Sequence, residues 1–168
     1  RFAIQFADAL GIRRAVWVGH SIGCQIAMLV AADHPERTEG VVLVGPTGAG
    51  VRRLFHQTFA LARVPLHEGI RVIGAVARDY VRTTPFHYIG WWIKAARDKP
   101  IDHAAPVRAP TPILFGVEDP VPPRDFAAEL AQRQENSTVE RVPGAYHALP
   151  MEKPGEFRDQ KISNQTFH

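Results

Sequence analysis

Three polar residues of this chain have the types and the order that acyl-transfer chemistry requires. Ser21 is the central residue of the pentapeptide GHSIG at positions 19–23. In such a G-x-S-x-G pattern the serine is a nucleophile when the turn joins a strand to a helix. A serine hydroxyl is a poor nucleophile near neutral pH, so it needs a base within reach and a third group to orient that base. His147 and Asp119 are the candidates for those two roles.

The segment around Ser21 has the strand, turn and helix that separate this motif from a chance match. Residues 15–19 are apolar and rich in β-branched and aromatic types, whereas residues 22–32 form a longer apolar stretch. The glycines two residues before and after Ser21 are expected to relieve clashes on a strained turn. The helix directs its positive end toward the serine, and the Ile22 N–H is expected to stabilise a developing oxyanion. An alternative is that Ser21 only caps the helix.

The strands and helices that must position these side chains are predicted to form an α/β domain. The strands are predicted at residues 15–19, 41–45, 112–116 and 138–142, and the flanking helices at residues 2–10, 22–32 and 124–133. The central runs are apolar throughout rather than alternating, which is typical of parallel strands that are covered on both faces. Helices between the strands supply the crossovers that parallel pairing needs. The pattern predicts a mostly parallel sheet of about four strands.

A helical insertion separates the second and third predicted strands. About 60 residues there show helical rather than strand periodicity. We therefore divide the chain into a core part that carries Ser21 (1–48), the insertion (49–110) and a second core part that carries the acid and the histidine (111–168). Aromatic side chains of the insertion either line an acyl pocket or only pack within it; they are Phe86, Tyr88, Trp91 and Trp92.

Asp119 and His147 each follow a predicted strand closely. The carboxyl ends of parallel strands meet at one edge of the sheet, where loops carry function. Three loops should therefore converge on this edge, bringing the serine, the acid and the histidine together. Glu118 is the alternative acid, although its side chain should point away from that of its neighbour. His20, next to the serine, is interpreted as a packed residue beside the site rather than as a catalytic one.

Composition excludes several other classes of protein. The 168 residues are 45% hydrophobic and 22% charged, as in ordinary globular domains. The longest apolar run, Ile26–Ala32, is too short to span a bilayer. The net charge of +3 comes from scattered basic residues, so no nucleic-acid partner is predicted. Cys24 is the single cysteine and cannot form an internal disulfide, which favours a reducing, cytoplasmic location.

Neither a metal nor a nucleotide is predicted. The histidines show no i,i+4 or cysteine-linked pairing of the kind that binds metals. Residues 45–50 match the first half of a phosphate-binding loop, but Val51 and Arg52 stand where that loop needs lysine and serine or threonine. The glycines are therefore interpreted as a strand exit, and no cofactor is expected.

Three segments resemble those of α/β-hydrolase fold proteins of the small esterase-like kind: VGHSIG with its following helix, PILFGVEDPVPP and VPGAYHALPMEKPGEF. The resemblance covers residues 1 to about 157 and implies that the insertion forms a cap. It also implies that Ser21 is the nucleophile, His147 the general base and Asp119 the orienting acid. The Ile22 N–H would be one donor of the oxyanion hole. Dehalogenases and epoxide hydrolases of this fold carry aspartate at the nucleophile position, so Ser21 argues against both.

The sequence thus predicts a serine hydrolase that cleaves a carboxylic ester or related acyl bond of a small molecule through an acyl-enzyme. The alternative is a catalytically impaired fragment or a non-catalytic relative. The family takes a second oxyanion N–H from a loop after an earlier strand, and that segment is not found in this sequence. The domain is therefore expected to be N-terminally incomplete, with roughly 70–110 further residues upstream. The oligomeric state and the identity of the bond stay open.

Overall fold

The structure is a computed structural model that describes residues 2–47, 106–122 and 125–157, together with residues 74, 78, 82, 90 and 104. A short 3₁₀ turn, Pro35–Arg37, follows the second helix. None of the helices in these ranges is long and apolar enough to cross a membrane. In chain order the elements are α1 (Phe2–Ala9), β1 (Ala15–His20), α2 (Gly23–Asp33), β2 (Thr38–Val44), β3 (Thr111–Gly116), α3 (Phe126–Arg133), β4 (Ser137–Val142) and α4 (Leu149–Glu152).

The four strands form one parallel sheet in the order β1-β2-β3-β4. Helix α2 provides the crossover from β1 to β2, and α3 provides the one from β3 to β4. Both the α/β class and the parallel sheet predicted from the sequence are confirmed. Because all strands run the same way, the loops after β1, β2, β3 and β4 emerge at one edge.

The core lies on both faces of this sheet. Successive side chains of a strand point to opposite faces. Val41 and Leu43 pack with α2 and α3 on one face, whereas Val42 and Val44 pack with α4 and Phe157 on the other. A strand covered on both faces has no polar side to alternate with. This is why the central runs read as uninterrupted apolar segments.

Several predicted boundaries are shifted by one to three residues. Strand β2 begins at Thr38, where Thr38 is buried and aligned with Ala15 of β1, and not at residue 41. Helices α2 and α3 begin at Gly23 and Phe126, one and two residues later than predicted. Helix α4 was not predicted, because four residues are too few to show a period. Residues 154–157 are also helical.

Helix α1 forms as predicted and is followed by Gly11 with φ +70. Glycine adopts this left-handed conformation without the clash that a side chain causes. Phe2 and Phe6 of this helix are nevertheless exposed, by 81% and 60%, and so is Leu10 just after it, by 59%. Only Ala7 of this helix is buried. The spacing therefore predicted the helix correctly, but this face adds nothing to the described core.

Within the predicted insertion, the structure describes residues 106–110, which are not helical, and five isolated positions that are helical: Gly74, Arg78, Arg82, Gly90 and Ala104. Ala104 is buried within the core on the α2 and α3 face of the sheet. The four aromatic residues considered for an acyl pocket lie outside the described residues. The division of the chain into three parts, and the cap, stay predictions.

Candidate active site

Ser21 occupies a strained turn between β1 and α2. Its φ is 55°, which makes it the one non-glycine residue of the described ranges with a positive φ. Residues that carry a side chain rarely adopt a positive φ, and such backbone strain concentrates at functional sites. The Ser21 N–H donates a hydrogen bond of 2.9 Å to the Val44 carbonyl. The end of the neighbouring strand therefore holds the turn in place.

The two glycines of the motif have different surroundings. A Cβ added at Gly19 would lie 2.6 Å from the Cα of Cys24 and 2.6 Å from the carbonyl oxygen of Gly23, so only glycine fits there. A Cβ added at Gly23 would meet no described atom within 4 Å. The expected clash is therefore present at Gly19, whereas none is found at Gly23 among the described residues.

The start of α2 offers an N–H to the region beside Ser21. Ile22 is the N-cap residue with helical dihedral angles, and no side chain caps the helix. The alternative that Ser21 serves as the cap is therefore wrong. Within the described part of the chain, the Ile22 N–H donates to no backbone carbonyl. It stands at the positive end of an 11-residue helix, where it can donate to an anion.

The structure brings Ser21, His147 and Asp119 together. The Nε2 atom of His147 lies 3.0 Å from Ser21 Oγ, and its Nδ1 atom lies 2.8 Å from Asp119 Oδ2. A carboxylate only accepts hydrogen bonds, so Nδ1 carries the proton and Nε2 offers its lone pair to the serine hydroxyl. The side chains of His147 and Asp119 are only 6% and 1% exposed. The arrangement can remove a proton from Ser21.

Asp119 is oriented by the main chain around it. Its Oδ1 accepts a hydrogen bond of 2.9 Å from the Val121 N–H, which leaves Oδ2 for His147. Glu118, the alternative acid, is exposed, and its N–H donates to the Ala145 carbonyl. Of the two carboxylates, the structure therefore places Asp119 against the imidazole.

The loop that carries His147 is held by two side chains from other elements. Glu152 of α4 accepts a hydrogen bond of 2.7 Å from the Tyr146 N–H. His20 Nε2 lies 2.7 Å from the His147 carbonyl oxygen, and the two imidazole rings are 5.0 Å apart. Burial, followed by the proximity of His147, lowers the pKa of His20. His20 is partly exposed at the surface, whereas its Nε2 atom faces the main chain of His147.

Gly45 lies directly against the pair formed by His147 and Asp119. Its φ is +52, and a Cβ there would be 3.2 Å from both Asp119 Oδ2 and His147 Nδ1. Its N–H donates to the Leu114 carbonyl. No sequence motif predicts this contact or the one from Glu152. In the sequence, Gly45 ends the strand predicted at residues 41–45 and begins the incomplete phosphate-loop pattern, of which residues 48–50 lie outside the described ranges.

Cys24 packs beneath the nucleophile turn as a protonated thiol. It is fully buried, and its Sγ lies 3.2 Å from the Gly19 carbonyl and 3.4 Å from the Val44 carbonyl. Burial raises the pKa of this thiol well above its ordinary value. Among the described residues no three His, Cys, Asp or Glu side chains converge in a way that could hold a metal ion. The predicted absence of a metal and of a cofactor stays a prediction.

Comparison with known proteins gives the family. Residues 1–160 match the profile described as "Alpha/beta hydrolase family". The chain belongs to the alpha/beta hydrolase family. This membership confirms the resemblance carried by the three sequence segments, and it agrees with the parallel sheet and the crossover helices described above.

Three relatives illustrate the match. The protein named "Putative carbamate hydrolase RutD" from Caulobacter sp. (strain K31) is 24% identical over 185 residues, which cover 92% of this chain and 66% of that protein. A 2-hydroxy-6-oxo-6-phenylhexa-2,4-dienoate hydrolase of Burkholderia cepacia is 51% identical over 43 residues, or 26% of this chain and 15% of the relative. The crystal structure of the enol-lactonase from Burkholderia xenovorans LB400 has a TM-score of 0.77 at 22% identity and shares the fold, with coverage of 95% and 68%. The chain thus spans about two thirds of the length of the carbamate hydrolase and of the lactonase.

Proposed function

We propose that this chain carries the site of a serine hydrolase that cleaves a carboxylic ester or a related acyl bond of a small molecule. One observation carries the proposal: Ser21 Oγ, the His147 imidazole and the Asp119 carboxylate form a hydrogen-bonded chain with distances of 3.0 and 2.8 Å. This order of groups activates a serine on several unrelated folds. Membership of a hydrolase family supports the same conclusion.

In the first half-reaction His147 acts as base and then as acid. Its Nε2 atom takes the proton of Ser21 as Oγ bonds to the acyl carbon and the carbonyl electron pair moves to oxygen. The Ile22 N–H donates to this oxyanion, and the Asp119 carboxylate stabilises the imidazolium without taking its proton. The oxyanion then collapses and the bond to the leaving group breaks. The leaving group departs with the proton from His147, leaving Ser21 acylated.

Water completes the reaction at the same groups. His147 removes a proton from a water molecule while the water oxygen bonds to the acyl carbon. The second oxyanion collapses, the bond to Ser21 Oγ breaks, and the serine takes back the proton from His147. The products are a carboxylic acid and the leaving group, and the site returns to its starting state.

The substrate class follows from the chemistry of the site and from the names of the relatives. Nucleophilic attack by Ser21 suits a carbonyl carbon bonded to a leaving oxygen, as in esters and lactones. Two of the relatives above are named for a carbamate and for an enol-lactone. Both of these groups present such an acyl carbon. A chromogenic ester series of increasing acyl length, run beside a lactone, ranks the candidates.

A fluorophosphonate probe tests the proposal directly, because it is captured only by an activated serine. The Ser21 oxygen bonds to phosphorus and fluoride leaves. We expect stoichiometric labelling at Ser21 that is abolished in Ser21→Ala. Ser137→Ala is the matched control, because Ser137 hydrogen-bonds the carbonyls of Ala131 and Gln134 away from the site. A folded sample that takes up no probe refutes the proposal and favours the non-catalytic alternative.

A further inference from the structure

We propose that His20 is a positioning residue that fixes His147 relative to the nucleophile turn by donating a hydrogen bond to the His147 carbonyl. This inference rests on the proposed function, because it assigns His20 a role in the reactivity of Ser21. The contact is 2.7 Å long and joins residues that are 127 positions apart. No part of the sequence motif itself predicts it.

The topology explains why such a link is needed. Ser21 follows β1 and His147 follows β4, and these strands lie at opposite edges of the described sheet. Neighbouring strands are about 4.8 Å apart, so β1 and β4 are separated by about 14 Å. No strand pairing joins them directly. The nucleophile and its base must therefore meet through loops and side chains.

Two side-chain hydrogen bonds of the described residues connect the turn to the histidine loop. One joins Ser21 Oγ to His147 Nε2, and the other joins His20 Nε2 to the His147 carbonyl. The first is broken and re-formed in every turnover, because its proton is transferred. The second uses a main-chain oxygen that takes no part in proton transfer. It can therefore hold His147 in place while the serine is acylated and released.

The chemistry of His20 suits this role. A carbonyl oxygen only accepts, so the Nε2 atom of His20 carries a hydrogen. The charged or titratable groups that act on His20 are His147 and Asp119. His147 becomes positively charged during the reaction, and a neutral donor avoids placing a second positive charge 5.0 Å from its ring. The lowered pKa of His20 keeps the donor neutral near neutral pH.

Two substitutions separate hydrogen bonding from packing. His20→Phe keeps a ring beside His147 but removes the donor, whereas His20→Gln keeps an N–H at about the same reach. We expect His20→Phe to lower kcat, and the rate at which the probe labels Ser21, about tenfold with little change in KM. Most of that loss should be restored in His20→Gln. A residue that only filled space would show the opposite order.

His34→Phe is the control, because His34 lies at the far end of α2 beside Glu36. It should leave both rates unchanged, and melting temperatures show that each variant is folded. A second readout does not need turnover: the ¹H resonance of the Nδ1–H of His147, which reports its hydrogen bond to Asp119. We expect this resonance to weaken or shift in His20→Phe and to recover in His20→Gln.

The possible results distinguish this inference from the proposed function. If the wild-type chain is labelled and His20→Phe is labelled equally fast, His20 is not a positioning residue, and the proposed function stands. If the folded wild-type chain is not labelled at all, the proposed function fails. The proton resonance then decides alone, and an unchanged resonance in His20→Phe overturns the role of His20.

Discussion

Replacing Gly45 with alanine tests whether the bare backbone beside the acid and the histidine is needed for reactivity. The new Cβ would lie 3.2 Å from Asp119 Oδ2, 3.2 Å from His147 Nδ1 and 3.3 Å from His147 Cε1. Favourable contacts of a carbon atom begin at about 3.5 Å, so these groups must move by about 0.3 Å or more. The hydrogen bond between them is 2.8 Å long, so such a movement would lengthen or bend it.

The effect of backbone strain at position 45 can be separated from the effect of the added Cβ on the acid and the histidine. An alanine with a positive φ costs about 1–2 kcal/mol of stability relative to a relaxed conformation. Gly11 has φ +70, and a Cβ there meets no described atom within 4 Å. Gly11→Ala therefore carries the same strain without touching the site. Gly11→Ala should lose about 2–4 °C in Tm for each kcal/mol, and Gly45→Ala should lose at least as much, because its Cβ also presses on the acid and the histidine.

Their reactivity should differ. A misplacement of 1 Å at a catalytic group costs about a hundredfold in rate, so a movement of about 0.3 Å predicts a loss of about fourfold. We expect Gly45→Ala to lower the rate of fluorophosphonate labelling at Ser21 by about this factor, while Gly11→Ala labels like the wild type. Equal labelling rates in the two folded variants would refute the reasoning.

Three further outcomes follow from the same contacts. Asp119→Asn should lower ester turnover by up to about 10⁴-fold, because the amide disfavours the reactive tautomer of the histidine. Glu118→Gln should have little effect. If Glu118→Gln lowers ester turnover more than Asp119→Asn does, the assignment of Asp119 as the acid is contradicted. The thiol of Cys24 is buried and its pKa is raised, so a thiol reagent monitored by absorbance should modify it only after denaturation. The pKa of His20 is lowered from 6.5 in the folded chain. Its contribution to the free energy of unfolding is therefore fully present above pH 6.5 and decreases as the pH falls through the lowered value. His20→Gln should show a smaller decrease in Tm between about pH 7 and about pH 5.

Much of the fold and of the candidate site could be predicted from the sequence. The apolar runs of β2 and β3 predicted parallel strands covered on both faces, because that signal depends on local composition alone. Ser21 and its turn could be recognised because the motif stands between a strand and a helix. Asp119 and His147 follow strand ends, where loops of a parallel sheet converge.

The parts that could not be predicted depend on contacts between distant segments. Gly45 reads as an ordinary strand exit, and its position against the acid and the histidine appears only when β2, β3 and β4 are aligned. Glu152 supports the histidine loop from a four-residue helix that is too short to give a periodic signal. Gly23 shows the reverse case, since the motif suggested a steric need that no contact among the described residues explains.

The nucleophile and its base follow the two outermost strands of the described sheet, and this placement affects how the site is lost under mild denaturation. Strand β4 is largely exposed or half-buried, whereas β2 is buried along nearly its whole length. Edges with few buried contacts open locally at a lower free energy than the whole molecule unfolds. Opening of β4 and its following loop removes His147 and leaves Ser21 within the intact β1, α2 and β2 unit. Inactivation on warming should therefore precede loss of the far-UV circular dichroism signal, and amide hydrogens of β4 should exchange before those of β2.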